Sequence, residues 1–509
     1  MNDEIVVSKL NDVFFVLDVN QEQIYELNDF FSCRKKDFKY SPRFKNGIWD
    51  GKIRFFNIQN CTLPIGLYKE LLQFSKKYRY KIHFDIDKSE MYNEIKDEEI
   101  KEFYSKIFKE GIFPRDYQDE TIKRCLKFKR GVIESVTSSG KSLSIYSLIR
   151  YILGTTEEDK KILLIVPNVS LVNQMVNEFE EYGFKDAMDF ISILYSNSKK
   201  YDRSKPILVS TWQSIYKKPP IFFKDFVAVI IDECHLASCS SIQKVMQKCT
   251  NAEYRLGFTG TLPTDRSELM TINGYLGPKL YTVGYNELIE RGILSKMKIA
   301  NIILRYPDEF VKYNKKRPYS EEINAIISYP KRNDVFKLIL EHIDKSENVL
   351  ILCSQIEHLK SIRKYIEEFL KDSNRDNTIY EIYGKVDPEE REKIRKQMNN
   401  ESGVILISSY GTMSTGVNIK RIHHIIFGSS YKSKIKVLQS IGRGLRTHES
   451  KKQLILWDIV DDLTWKIKKR DGSIDIGMNH VYKHFKERLK YYEQNNFKYF
   501  NRKIELEKL

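Results

Sequence analysis

The stretch ESVTSSGKS, residues 134–142, closes on Gly140, Lys141 and Ser142. That ending has the chemistry of a phosphate-binding loop. Backbone N–H groups at a helix N-terminus point at phosphate oxygens. Lys141 reaches the outer phosphates, and Ser142 offers its hydroxyl to magnesium. The glycine expected at the start of the loop is replaced by Ser135. A small residue can adopt that tight turn at some cost. Ser138, Ser139, Gly140, Lys141 and Ser142 keep the donors.

Two further segments supply what such a loop needs. In AVIIDECH, residues 228–235, an apolar strand ends in adjacent carboxylates. Asp232, at the strand's carboxyl end, can hold phosphate-bound magnesium. Glu233 is placed to orient and deprotonate an attacking water. In QSIGRGLR, residues 439–446, Gln439, Arg443 and Arg446 lie at spacings that share a helical face. An arginine brought to a γ-phosphate from another domain stabilises the transferring charge, by roughly a thousand-fold or more. Each segment also has a plainer account, as a strand ending in polar residues or a basic surface helix. Two glycines in eight residues argue against an ordinary surface helix.

The elements that position these side chains are α/β. From residue 111, short apolar stretches alternate with longer helical patterns: RGVIESV and then KSLSIYSLIRYIL, KILLIVP and then SLVNQMVNEFEEY, followed by the stretches PILVST and VAVIIDE. Such alternation implies βαβ units and a parallel sheet. The texture returns after about residue 290 with ENVLILCS, GVILISS and HHIIFGSS. The expected organisation is an amino-terminal domain over 1–90, a charged amphipathic linker helix over 91–110, a first parallel-sheet unit over 111–285, a second over 286–475, and a basic helical tail over 476–509. The amino-terminal domain reads as small strands with little helix. In the tail, Val481, Phe485, Leu489 and Tyr492 share one face. A helix packed on the second unit is preferred over one that faces nucleic acid.

Composition narrows the function classes. The chain has 509 residues, 41% hydrophobic and 30% charged, with a formal charge of +16. Disorder is not indicated, and the charge points to a polyanionic partner, nucleic acid before membrane. Runs such as ILLIV and VLILC are too short to span a bilayer. The start, MNDEIVVSKL, is acidic where a secretion signal is basic. Seven cysteines form no CxxC pair, so a reduced compartment fits and a structural zinc site does not.

Taken together, the motifs resemble those of superfamily 2 DExH-type helicases, and most closely the UvsW-type recombination helicases of tailed phages. The likeness covers about residues 111–465 as two RecA-like parallel-sheet lobes in tandem, with a small α+β amino-terminal domain ahead of them. In RDYQ, the resemblance makes Gln118 the reader of the adenine edge, with Arg115 and Tyr117 beside it. It makes VTSSGKS motif I, LIVPNVSLVNQ motif Ia, VSTWQS motif Ib, DECH motif II, TGT motif III, SSYGTMSTGVNI motif V and QSIGRGLR motif VI. His235 and the triplet Thr259, Gly260, Thr261 would then couple hydrolysis to strand movement. Thr211, Trp212 and Gln213, with Tyr410, Gly411 and Thr412, would face the nucleic-acid strand. Many relatives carry a second glycine in motif VI where this chain has Leu445, which bears on the local backbone.

A further basic stretch, CRKKDFKYSPRFKNGIWDGKIRFF at 33–56, interleaves cations with aromatics. Backbone tracking needs the first and base stacking the second. Arg43, Lys45, Trp49 and Lys52 are its candidate DNA contacts, although some aromatics must form the domain's own core. NGIWDGK reads as a turn with glycines at 47 and 51. The resemblance implies an ATP-dependent DNA helicase or translocase with ATP and Mg2+ as cofactors. Its expected partners are branched or forked DNA and recombination or single-strand-binding proteins, with no membrane, and its expected location is cytoplasmic (the host cytoplasm if phage-encoded). An RNA helicase, a restriction-complex motor and a non-hydrolysing clamp stay open as alternatives.

Overall fold

The structure is a computed structural model that describes residues 4–195, 201–413 and 419–509. The chain divides into two compact units: Met1–Ser135 with Gly140–Val283, and Val136–Ser139 with Gly284–Leu509.

The first unit begins with a mixed four-stranded sheet in the order Thr62–Pro64, Phe14–Asp18, Glu4–Lys9, Lys81–Asp85. Its strands alternate as expected, with Ile5, Val7, Phe15 and Leu17 buried. The expectation of little helix fails. Gln21–Phe30 and Tyr68–Tyr78 are both helices, the first started by a capping box between Asn20 and Gln23. QEQIYELNDF hides its helix because Leu27 is its one fully buried apolar residue. The linker helix is also revised. It spans Asp97–Ile107, and Ile100, Tyr104 and Ile107 sink into the core of the following lobe. It is part of that lobe's packing.

That lobe is a seven-stranded, all-parallel sheet. Its order is Lys279–Val283, Arg130–Ser135, Tyr254–Thr259, Phe226–Asp232, Lys161–Val166, Ile207–Thr211, Ile191–Leu194. The strands are near-continuous apolar runs because helices cover both faces. The amino-terminal domain is docked on the helix Arg266–Leu276. Met270 enters that domain's apolar cluster. A Cβ on Gly66 would lie 1.9 Å from the carbonyl oxygen of Asn273, so only glycine permits the approach.

The second unit carries another seven-stranded parallel sheet, ordered Thr378–Ile382, Val404–Ser409, Val349–Cys353, His424–Phe427, Gln453–Asp462, Lys296–Arg305, Tyr499–Glu505. The tail is therefore not wholly helical. Its helix is His480–Gln494, and its last strand pairs with Lys296–Arg305 at the sheet edge. Val481, Phe485 and Tyr492 are buried as the helical spacing predicts. On the same helix Arg488 is fully buried, with Nε and Nη2 each 2.8 Å from the carboxylate of Asp458. A second buried pair, Arg332 with Asp461, makes two bonds of 2.9 Å. Removing one partner of such a pair typically costs about 3–5 kcal/mol.

Candidate functional site

The strand Arg130–Ser135 runs into the loop, and the helix Lys141–Thr155 leaves it. Ser135 is still strand, paired with Val283, and lies outside the left-handed region. No glycine is required there. The positive φ falls instead on Ser138, at 71°, and on Gly140, at 82°. A side chain on Gly140 would also meet the Gln118 amide at 2.4 Å. Gln118 is buried, accepts from Arg115 N at 2.8 Å and donates Nε2 to Gly140 O at 3.2 Å. Tyr117 is buried beside it, its hydroxyl 3.5 Å from Arg115 Nη1. Lys141 Nζ donates to Ser135 O at 3.1 Å. Ser142 Oγ lies 2.8 Å from the hydroxyl of Tyr182, at the end of the helix Val169–Tyr182.

Strand register brings the second group level with the loop. Glu134 pairs with Thr259, and Phe258 with Asp232. Ser135, Thr259 and Asp232 thus end at the same edge of the sheet, where open parallel sheets bind ligands. Glu233 follows in the left-handed region at φ 54°, its N–H donating to Asp232 Oδ1 at 3.0 Å. His235 Nδ1 lies 3.2 Å from Glu233 Oε2 and 3.0 Å from Thr259 Oγ1. Thr259 Oγ1 in turn accepts from Thr261 N at 3.3 Å, across the buried Gly260.

Burial, with the Glu233 carboxylate beside it, pushes the Asp232 carboxyl up to about 7, and Lys141 opposes the rise. A carboxylate so placed is short of positive charge. With the Ser142 hydroxyl it offers the hard oxygen donors that magnesium takes alongside phosphates and water. Among the described residues no cluster of three or more His, Cys, Asp or Glu side chains could cage a metal alone. The donor set fits a magnesium ion that arrives with a nucleotide.

In the second unit the helix Lys434–Gly444 buries Gln439 and Arg443. Arg446 is not on it. The helix ends at Gly444, and Arg446 makes a β-bridge with Leu294, so the shared helical face holds for Gln439 and Arg443 alone. Leu445 stands at φ −80°, a conformation open to any residue, so the glycine seen in relatives is not needed. Val136–Ser139 group with this unit. Ser138 Oγ donates to Gly442 O at 3.1 Å and accepts from Arg446 Nε at 2.9 Å. A Cβ on Gly442 would lie 2.6 Å from Thr137 Cβ and 2.7 Å from the Tyr285 hydroxyl, which explains the glycine.

The turn that carries Arg446 is held by residues that sequence reasoning missed. Lys451 Nζ donates to Gly444 O at 2.7 Å and also to Arg446 O. Ser295 N donates to Leu445 O at 2.7 Å, and its hydroxyl to Arg446 O at 3.2 Å. Lys451 is buried, and burial followed by the Arg446 charge lowers its amine to about 7. A cation at a helix C-terminus satisfies orphan carbonyls, but a lysine several residues past the helix carries no spacing signal. Tyr182 was missed for a similar reason, since it reaches Ser142 from another helix.

The candidate nucleic-acid contacts are mixed. Arg43 and Lys45 are exposed, and Lys52 is half-buried. Gly47 and Gly51 have φ of 69° and 80°, as a turn requires. Trp49 is half-buried, and its indole N–H donates to Lys52 O at 2.8 Å. Phe38 and Phe44 pack edge to face with centroids 4.7 Å apart, so they serve local structure. Lys36 pairs with Glu268 at 3.2 Å. Gln213 is exposed, Trp212 half-buried, and Thr211 buried with its hydroxyl 3.0 Å from Ser214 Oγ. Tyr410 does not fit a strand contact. It is buried, donates to Ser429 O at 2.9 Å and packs on Tyr431 at 4.7 Å. Thr412 is buried and bonded to Ser409, and Gly411 is exposed. Residues 414–418 of the motif V segment lie outside the described residues.

Three family models match. The one described as DNA helicase UvsW, N-terminal, covers residues 7–85. That of the type III restriction enzyme res subunit covers 111–264, and the helicase conserved C-terminal domain covers 330–448. The chain is 34% identical over 498 residues to the ATP-dependent DNA helicase uvsW of Enterobacteria phage T4, spanning 96% of this chain and 97% of that protein. It is 23% identical over 328 residues to a probable helicase D10 of Escherichia phage T5, spanning 64% and 67%. The crystal structure of T4 UvsW superimposes with a TM-score of 0.51 at 32% identity, covering 99% of this chain and 100% of the other.

Proposed function

Because the chain belongs to the UvsW-type family of superfamily 2 DNA helicases, we propose that it is an ATP-dependent DNA helicase that remodels branched or forked DNA. The observation that carries this reading is the joint match of motor and amino-terminal module. The first lobe by itself also matches a restriction-enzyme subunit. The match over residues 7–85 favours the UvsW type.

Lys141 and the backbone donors of Ser138–Ser142 hold the triphosphate. Ser142 and Asp232 would hold Mg2+, which when bound neutralises charge on the phosphate oxygens. Glu233, left-handed and beside Asp232, orients water and takes its proton. Arg443 and Arg446, with Gln439 beside them, meet the charge that develops on the transferred group. Arg115, Tyr117 and Gln118 read the base, and the Gln118–Gly140 bond makes the reader also a brace of the loop. His235 and Thr259–Thr261 relay the state of the pocket to the strand.

Arg43, Lys45 and Lys52 grip phosphates, with Trp49 as a local brace for Lys52. Gln213 and the exposed backbone at Gly411 extend the contact, and base specificity is low. Recombination or single-strand-binding proteins are the natural partners of such an activity, and the cytoplasm is where its DNA lies. No helix among the described residues is long and apolar enough to cross a membrane.

The test is the ATPase rate of the full chain with single-stranded DNA, forks, four-way junctions and RNA at stated salt. DNA should stimulate, and branched DNA most. Stimulation by RNA alone would defeat the reading.

A further inference from the structure

Trp465–Lys468 and Ile474–Gly477 form an antiparallel ribbon that pairs with no other strand among the described residues. Directly opposed residues share a face, so Lys466, Lys468, Ile474 and Ile476 stand on one side. All residues from 466 to 476 are exposed, and Ile474 and Ile476 each keep 59% of their surface in water. The tip is a built turn. Lys469 N donates to Ser473 O at 2.8 Å, Gly472 takes φ 80°, and the Asp471 carboxylate accepts from Ser473 N and Oγ at 2.9 and 2.7 Å. The root is anchored where Trp465 lies on Gly477, so close that a Cβ there would sit 2.2 Å from the indole.

A solvated hairpin could be this shape for no purpose. Two neighbouring isoleucines on an exposed ribbon are nevertheless a liability that proteins ordinarily avoid. Cations also outnumber acids on the ribbon, with Lys466, Lys468, Lys469 and Arg470 against Asp471 and Asp475. Of Lys466, Lys468, Lys469 and Arg470, Lys469 alone has a carboxylate partner among the described residues, Asp475 at 3.3 Å. The adjoining surface continues the pattern. Lys316 and Lys483 share the wall of a cavity of about 340 Å³ with Trp465 and Ile476. Tyr313 is 77% exposed, with the Arg317 guanidinium 4.7 Å over its ring. Cations beside exposed apolar and aromatic side chains are what a nucleic acid meets.

We propose that this ribbon is a second DNA-contact site, at which Lys466, Lys468 and Arg470 hold duplex phosphates and Ile474 and Ile476 press against the base pair at the branch. The proposal rests on the DNA-helicase reading and adds to it the element that meets the duplex. Apolar side chains wedged at a base step unstack it, and that is how the isoleucines act. The neighbouring Tyr313–Arg317 surface carries the same charge towards the backbone.

The experiment uses the full chain. In the triple variant K466A/K468A/R470A, fork binding is measured by anisotropy over a range of salt. The slope of log affinity against log salt should fall by about 2–3, since each phosphate contact contributes about 0.9. In I474S/I476S, fork unwinding should fall about tenfold at unchanged fork binding. Single-strand-stimulated ATPase should stay at the parent level in both variants. Binding and unwinding equal to the parent in both would overturn the proposal. So would a loss of single-strand-stimulated ATPase in proportion to the loss of unwinding, which would make the ribbon part of the motor. A parent whose ATPase no DNA stimulates would overturn the helicase reading, and the ribbon proposal with it.

Discussion

His235 Nδ1 lies 3.0 Å from Thr259 Oγ1. The same threonine oxygen is 3.4 Å from Glu233 Oε2 and accepts from Thr261 N at 3.3 Å. One imidazole and one hydroxyl therefore tie the carboxylate beside Asp232 to the turn that ends the neighbouring strand. A shift of Glu233 would strain those contacts.

His235→Ala should separate hydrolysis from movement. One such hydrogen bond is worth about 1 kcal/mol, so DNA-stimulated ATPase should stay within several-fold of the parent. Base pairs opened per ATP should fall further, by about tenfold. Parallel ATPase and fork-unwinding assays measure the ratio. Equal losses in both would place His235 in the pocket rather than in the linkage.

The two ends of the phosphate loop should respond oppositely to substitution. Ser135 is ordinary strand, so Ser135→Gly should leave the KM for ATP within about threefold and cost about 0.5–1 kcal/mol of stability. Gly140→Ala forces a side chain to φ 82° and into the Gln118 amide. It should weaken nucleotide binding by tenfold or more. Titration with a fluorescent ATP analogue and thermal melts read both effects.

The legible part of the molecule was the part with local chemistry. Asp232 and Glu233 sit at the end of an apolar strand, and Lys141 and Ser142 open the helix that follows another. Arg446 was misplaced onto a helix because spacing cannot show that the helix ends at Gly444. Tyr410 read as a surface residue because its burial against Tyr431 and Ser429 is set by tertiary packing. The strand Tyr499–Glu505 was unread because an edge strand needs little apolar alternation, and most of its residues are exposed. Lys451, Ser295 and Tyr182 act on backbone or hydroxyls from a distance in sequence, and no spacing rule reaches them.

Lys451 should leave a mark on stability against pH. Its amine is lowered to about 7 by burial, against about 10.4 in an unfolded chain. Between those values the unfolded state binds the proton and the folded state does not. Stability therefore rises with pH in that window, with a slope of up to about 1.4 kcal/mol per pH unit. Below 7 the folded state must bury the charge, and the cost is fully present. Denaturant unfolding of the parent and of Lys451→Met at pH 6, 7, 8 and 9 isolates this contribution. The variant should lose the rise, and identical slopes would contradict the assignment.

In the proposed function, hydrolysis at Lys141, Asp232 and Glu233 drives the opening of DNA. Glu233→Gln tests it most directly, with ATP affinity, ATPase and fork unwinding measured on one preparation beside Lys141→Ala. Glu233→Gln should bind ATP within a few-fold of the parent yet lose turnover and unwinding together by at least a hundredfold, and Lys141→Ala should lose binding as well. Turnover or unwinding near the parent level in Glu233→Gln would contradict it.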